Sequence, residues 1–164
     1  MGREVRRVPA NWEHPKNEYG NYQPMHNESF SERANEWKQG FLKWENGERP
    51  DYCDEESKNI EYWEWDGDPP NREYYMPVWT DEEKTHYQMY ETTSEGTPLS
   101  PPCATPEELA KYLADNGASS FGDDTATYDQ WLGMIRHQSC PTAFIKNGKI
   151  MSGVQMASEE SQNV

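Results

Sequence analysis

The chain is short of large aliphatic side chains. Leu, Ile, Val and Phe together supply 18 of 164 residues, and the net charge is −15. Those two quantities alone place it among chains that bury too little apolar surface to fold. Basic residues are few, 15 Lys and Arg against 30 Asp and Glu. That balance disfavours direct nucleic-acid binding, which draws its affinity from cations neutralising phosphates, and disfavours anionic membranes. No run approaches the ~18 apolar residues of a membrane span, and MGREVRRVPANWEHP lacks the apolar segment of a secretion signal. A myristoylation signal fails at Arg6, where Ser or Thr is needed. Cys53, Cys103 and Cys140 are odd in number and show no C-x-x-C spacing, so free thiols in a reducing, cytoplasmic setting are expected. In that setting the Asn27-Glu28-Ser29 sequon carries no meaning. Gly-rich phosphate loops, G-x-S-x-G and H-E-x-x-H are missing too.

What the chain has instead is rings: 7 Trp, 10 Tyr and 4 Phe. Each buried ring removes roughly 150–250 Å² from water, so a folded protein with an aromatic-rich core is expected. At this length one domain is expected, as an extended arm over 1–28 pinned by Trp12, Tyr19 and Tyr22, a single α+β domain over 29–157, and a flexible tail over 158–164.

Helix signals occur three times. Ser29 and Glu32 form a capping box ahead of Phe30, Ala34, Trp37, Phe41 and Trp44, which share one helical face up to Gly47. Thr105-Pro106-Glu107-Glu108 starts a second helix, with Leu109, Tyr112 and Leu113 inward until Asn116-Gly117. A third covers about 126–137, with Tyr128, Trp131, Leu132 and Ile135 in register. Asn147-Gly148 between two apolar runs signals a C-terminal hairpin. Short strands are expected at Ile60 to Trp65 and Tyr74 to Trp79, and Thr80 with Glu83 predicts a helical turn leading into a strand over THYQMYETT. The fold class is therefore α+β, about three helices with a small antiparallel sheet.

Catalytic and cofactor signals are weak. The four histidines do not share ligand spacing with the cysteines, so neither a metal nor a cofactor is expected. Asp66-Gly67-Asp68 opens like a calcium loop but fails at Pro70. His137 lies three residues before Cys140, a spacing that permits an activated thiol and does not diagnose one.

Charge is the strongest functional signal. Residues 1–50 are neutral, 51–100 carry −11 and 101–164 carry −4. At its centre lies NIEYWEWDGDPP, where strand alternation would set Glu61, Trp63 and Trp65 on one face and Tyr62, Glu64 and Asp66 on the other. On the bland reading the tryptophans pack inward and the acids are solvated. On the functional reading, carboxylates on a rigid core imitate a nucleic-acid backbone, and exposed rings anchor a partner. That face would comprise Asp51, Asp54, Glu55, Glu56, Glu61, Glu64, Asp66, Asp68, Asp81, Glu82 and Glu83, with Trp63 and Trp65. The partner would be a protein with a basic nucleic-acid-binding surface.

The run THYQMYETTSEGTPLSPPCATPEELAKYLADNGASSFGDDTATYDQWLGMI, about a third of the chain, resembles a segment of small acidic proteins of unknown function encoded by tailed phages and prophages. The resemblance implies an accessory phage protein in the host cytosol, of the kind that inhibits CRISPR or restriction nucleases, and supplies no catalytic residues. Two alternatives stand beside this expectation: a small ligand-binding protein or enzyme using Trp63, Trp65 and Trp79, and a minor virion component.

Overall fold

The computed structural model describes residues 2–92, 96–140, 143–146 and 149–156. The chain forms two compact units, one of Met1–Met25 with Pro77–Val164 and one of His26–Met76. The architecture is α+β, with helices, a small antiparallel sheet and an aromatic cluster.

The first unit is built on a four-stranded antiparallel sheet in the order β3-β2-β1-β6: β1 (Arg3–Val8), β2 (His86–Glu91), β3 (Thr97–Pro98) and β6 (Ser139–Cys140). β1 pairs with β2 along its whole length, from Arg3 opposite Glu91 to Val8 opposite His86. The segment expected as an extended arm thus supplies an inner strand. Three arginines in six residues hid it, because each cation meets its hydrogen-bonding needs within the unit. Arg3, 1% exposed, donates to the Ser119 carbonyl at 2.8 and 3.0 Å. Arg6 donates to the Met25 carbonyl at 2.8 Å, pairs with Glu4 at 3.1 Å and lies 4.2 Å over the Tyr90 ring. Arg7 lies 4.0 Å over Tyr87 and donates to the Lys84 carbonyl.

Thr80 and Glu83 cap a turn reciprocally, and β2 follows as expected. The proline-rich segment after β2 is no free loop. Leu99 N–H donates to the Met89 carbonyl, and Tyr87 and Cys103 exchange two backbone bonds of 2.8 Å, with Ser100 bulging between and accepting from Met89 N–H. It continues β3 along the sheet margin.

Two helices close this core. α3 (Pro106–Asp115) starts at Thr105, whose hydroxyl accepts from Glu108 N–H. It turns Leu109, Ala110 and Leu113 fully inward. α4 (Tyr128–His137) starts at a Thr127/Gln130 capping box and ends at Gln138, at φ 69°. Leu109, Leu113, Met89, Met134, Ile135 and Val154 pack around a single tryptophan, Trp131, itself 0% exposed. A two-stranded ribbon, β4 (Ser119–Phe121) with β5 (Asp124–Thr125), joins the helices. The hairpin strands β7 (Ala143–Lys146) and β8 (Lys149–Ser152) pair in the register that an Asn147-Gly148 turn requires, as a sheet of their own; the turn itself and the tail over 158–164 lie outside the described residues.

The second unit is helical and irregular. α1 (Phe30–Glu45) is capped by Ser29, which accepts from Glu32 N–H, and stops ahead of Gly47 at φ 80°. The expected strand from Ile60 to Trp65 is instead a short helix, α2 (Tyr62–Asp66). Its cause is a capping box built from acids alone: Glu61 accepts from Glu64 N–H while Glu64 accepts from Glu61 N–H at 3.0 Å. Carboxylates also suit the positive end of the helix dipole. Helical geometry overturns the strand alternation, so Tyr62 is buried and Trp63 is 53% exposed. The second expected strand, Tyr74 to Trp79, is replaced by a 3-10 turn, Arg72–Tyr74, and an extended stretch with one bridge, His26 to Tyr75.

Candidate interaction surface and clefts

Cys53 fixes the acidic segment after α1, buried with Trp44 and Tyr62 in an aromatic cluster that also takes Trp37, Phe41 and Trp65. Rings stack in series there, Trp44 on Trp65 at 5.4 Å and Trp65 on Tyr52 at 5.9 Å, and the Arg49 guanidinium closes the stack 3.9 Å from Trp44. Polar edges are tied down: Trp44 Nε1 donates to the Ile60 carbonyl and Trp37 Nε1 to the Gly67 carbonyl. Burial raises the Tyr62 phenol, and the neighbouring Asp66 raises it further.

The eleven acids proposed from sequence separate into two kinds. Most are committed locally. Asp54 accepts from Ser57 N–H at 2.7 Å, and these hydrogen bonds hold its carboxyl below the usual range. Glu55 pairs with Lys58, and Asp66 pairs with Arg33 at 2.9 Å. Glu61 and Glu64 form the α2 capping box. Asp81 pairs with Lys84 at 2.7 Å, whose ammonium lowers the Asp81 carboxyl. Backbone and Thr80 hydrogen bonds lower Glu82, and Glu83 caps the turn. Asp51, Glu56 and Asp68 are exposed and serve none of these caps or pairs. Asp81, Glu82 and Glu83 belong to the first unit and the other eight to the second.

Of the two proposed rings, Trp63 is exposed and Trp65 is half-buried within the stack. The sequence reading passed over Tyr52, 80% exposed beside Asp51 and Asp54. Its signal was a ring flanked by an acid and a cysteine, outside any periodic element. Trp79, expected beside Trp63 and Trp65, belongs to the first unit and packs edge-on to Trp12 at 4.9 Å.

Several clefts among the described residues have aromatic rings in their walls. One of about 420 Å³ lies along the Trp44–Trp65–Tyr52 stack, with Arg49 and Asp66 in its wall. A larger one, about 870 Å³, lies in the first unit between Trp12, Tyr22 and the proline-rich margin. The sequence missed it because its walls come from a segment read as an arm and a segment read as a loop.

Burial raises the Cys103 and Cys140 thiols, toward the protonated form and away from nucleophilic thiolate. Among the described residues no three His, Cys, Asp or Glu side chains converge to hold a metal ion, and no helix is long and apolar enough to cross a membrane. Comparison with protein-family models, curated proteins and solved structures finds no match for this chain.

Proposed function

We propose that the second unit is a protein-docking module that presents rings and carboxylates to a basic, nucleic-acid-binding surface of another protein. The observation that carries this reading is the exposure of Tyr52 and Trp63, 80% and 53%, in a unit where carboxylates outnumber cations 14 to 6. Rings are among the commonest anchors of protein interfaces, and two exposed ones set among acids supply such anchors. Surrounding acids steer a cationic partner and penalise anionic ones. With the sequence resemblance to accessory phage proteins, the module acts as an inhibitor that occupies the nucleic-acid groove of a host defence nuclease.

The test uses the acids that hold up no local structure. Asp51→Lys, Glu56→Lys and Asp68→Lys together reverse charge and leave the α2 capping box and the Asp66–Arg33 pair in place. A tagged wild-type protein expressed in a bacterial host should retain a nucleic-acid-binding protein at about 0.1 M salt and lose most of it at about 0.5 M, where screening shortens to a few ångströms. The triple variant should lose it at both. Capture that ignores both salt and charge reversal rejects the reading.

A further inference from the structure

The aromatic stack of the second unit is capped at one end and open at the other. At the inner end the Arg49 guanidinium lies 3.9 Å from the Trp44 ring centroid. It is held there by the Trp44, Glu48 and Lys58 carbonyls, to which it donates at 2.6, 3.0 and 3.2 Å. Trp65 follows on Trp44 with 29° between the planes, and Tyr52 follows on Trp65 with 28°. Tyr52 gives one face to Trp65 and meets no other ring among the described residues. At 80% exposure, its outer face is bare to water. The local backbone fixes that position. Tyr52 sits in a tight turn closed by the Cys53 N–H, which donates to the Pro50 carbonyl at 2.9 Å, and Cys53 is buried in the cluster behind it. A ring presented in this way loses little freedom when a second molecule stacks on it.

Charge and shape select what the open end takes. Asp51 directly precedes the ring, is exposed and serves none of the caps or pairs described above, and the unit as a whole holds 14 carboxylates to 6 cations. A nucleotide brings phosphates that this field repels, and a neutral ring leaves the field unanswered. The fitting occupant is a cation. Of the two cationic side chains, the planar and weakly hydrated guanidinium lies flat on a ring, whereas the ammonium keeps its water shell as a point charge. The chain itself shows the preference. Its closest cation–ring contacts among the described residues, Arg49 on Trp44 at 3.9 Å, Arg7 on Tyr87 at 4.0 Å and Arg6 on Tyr90 at 4.2 Å, are all made by arginine, and Lys16 stays 4.8 Å from Tyr22. We propose that the outer face of Tyr52 is the seat of an arginine side chain from the partner protein, which caps the stack there as Arg49 caps it at Trp44. This rests on the docking reading for the source of the arginine, and adds which residue type binds and where.

Full-length protein with ¹³C-labelled tyrosine rings is titrated at about 0.1 M salt with capped Arg-Gly-Arg-Gly-Arg, Lys-Gly-Lys-Gly-Lys and Phe-Gly-Phe-Gly-Phe peptides and with adenosine monophosphate. The Tyr52 ring signals should move saturably with the arginine peptide, which should bind about fivefold tighter than the lysine peptide, the worth of one exposed cation–ring contact. Tyr52→Leu should erase that preference, and Tyr52→Phe, which keeps the ring, should retain it. Intermolecular NOEs between arginine side-chain protons and the Tyr52 ring in the wild type supply a readout that needs no variant. Equal affinities for the arginine and lysine peptides, a preference that survives Tyr52→Leu, or Tyr52 signals moved only by the phenylalanine peptide or the nucleotide overturn the proposal. Failure of the docking reading looks different: capture of the tagged protein's partner that ignores salt removes the source of the arginine, whereas equal peptide affinities beside salt-sensitive capture reject the cap and leave the docking reading standing.

Discussion

The first unit closes around Leu109, Leu113, Met89, Met134 and Ile135 with one tryptophan among them, whereas the second closes around Trp44 and Tyr62 with half-buried Trp37, Phe41 and Trp65. The division follows from supply. The second unit contains only two of the chain's 14 Leu, Ile and Val residues, Leu42 and Ile60, and Leu42 is exposed. A segment of that composition has rings or nothing to exclude water with. Rings bring a second property that aliphatic chains lack: the two indoles tied to Ile60 and Gly67 fix the irregular backbone of 57–68 by hydrogen bonds as well as by area. Losing one aromatic residue there removes packing and a backbone anchor together.

The largest expected effect is therefore Trp44→Ala. A buried Trp→Ala change costs about 3–5 kcal/mol, enough to unfold a unit this small. Amide resonances of 26–76 should collapse in an NMR spectrum while those of β1 and β2 persist; loss of both sets would break the distinction between the units. Gly40→Ala comes next. A Cβ there would sit 1.9 Å from the Tyr62 hydroxyl oxygen, and overpacking of this kind costs about 1–3 kcal/mol, more than the ~1 kcal/mol of helix propensity regained. Urea denaturation should show a loss that Tyr62→Phe, by removing that oxygen, partly restores.

A third effect is confined to the first unit. Because the folded His14 pKa lies below its ordinary value of 6.5, the unfolded chain takes up the proton first on acidification. Stability is full above pH 6.5 and falls as pH drops below it, by at most about 1.4 kcal/mol per pH unit. Denaturation of the first unit at pH 7.5 and 5.5 should reveal the decline, and His14→Gln should flatten it. The smallest contrast lies between acids. Glu61→Ala loses a cap and should cost about 1 kcal/mol, whereas Asp51→Lys should stay within about 0.5 kcal/mol; equal costs would mean the exposed acids are not free for a partner.

Where local signals agreed with packing, the sequence was readable. Ser29 and Thr105 each cap a helix whose apolar period continues behind the cap, the apolar period alone marked α4, and the strands on either side of Asn147-Gly148 have matching length. The α2 helix was hidden because its cap uses two glutamates in place of Ser or Thr, and its five residues are too short to show a period. β1 was hidden because its buried arginines also depend on carbonyls and a ring outside the strand, at Ser119, Met25 and Tyr90. The acidic residues were identifiable one by one, but which of them hold structure and which are free depended on neighbours such as Arg33 and Lys84.

The proline-rich margin of the sheet carries one more consequence. Leu99 and Cys103 turn their N–H groups toward β2, so by alternation Pro98 and Pro102 occupy positions whose nitrogens face away. Those nitrogens bear no hydrogen. A strand arriving from another molecule would find missing donors where it needs a ladder, and stacking of copies through this edge, the first step toward fibrils, is blocked at the level of the backbone.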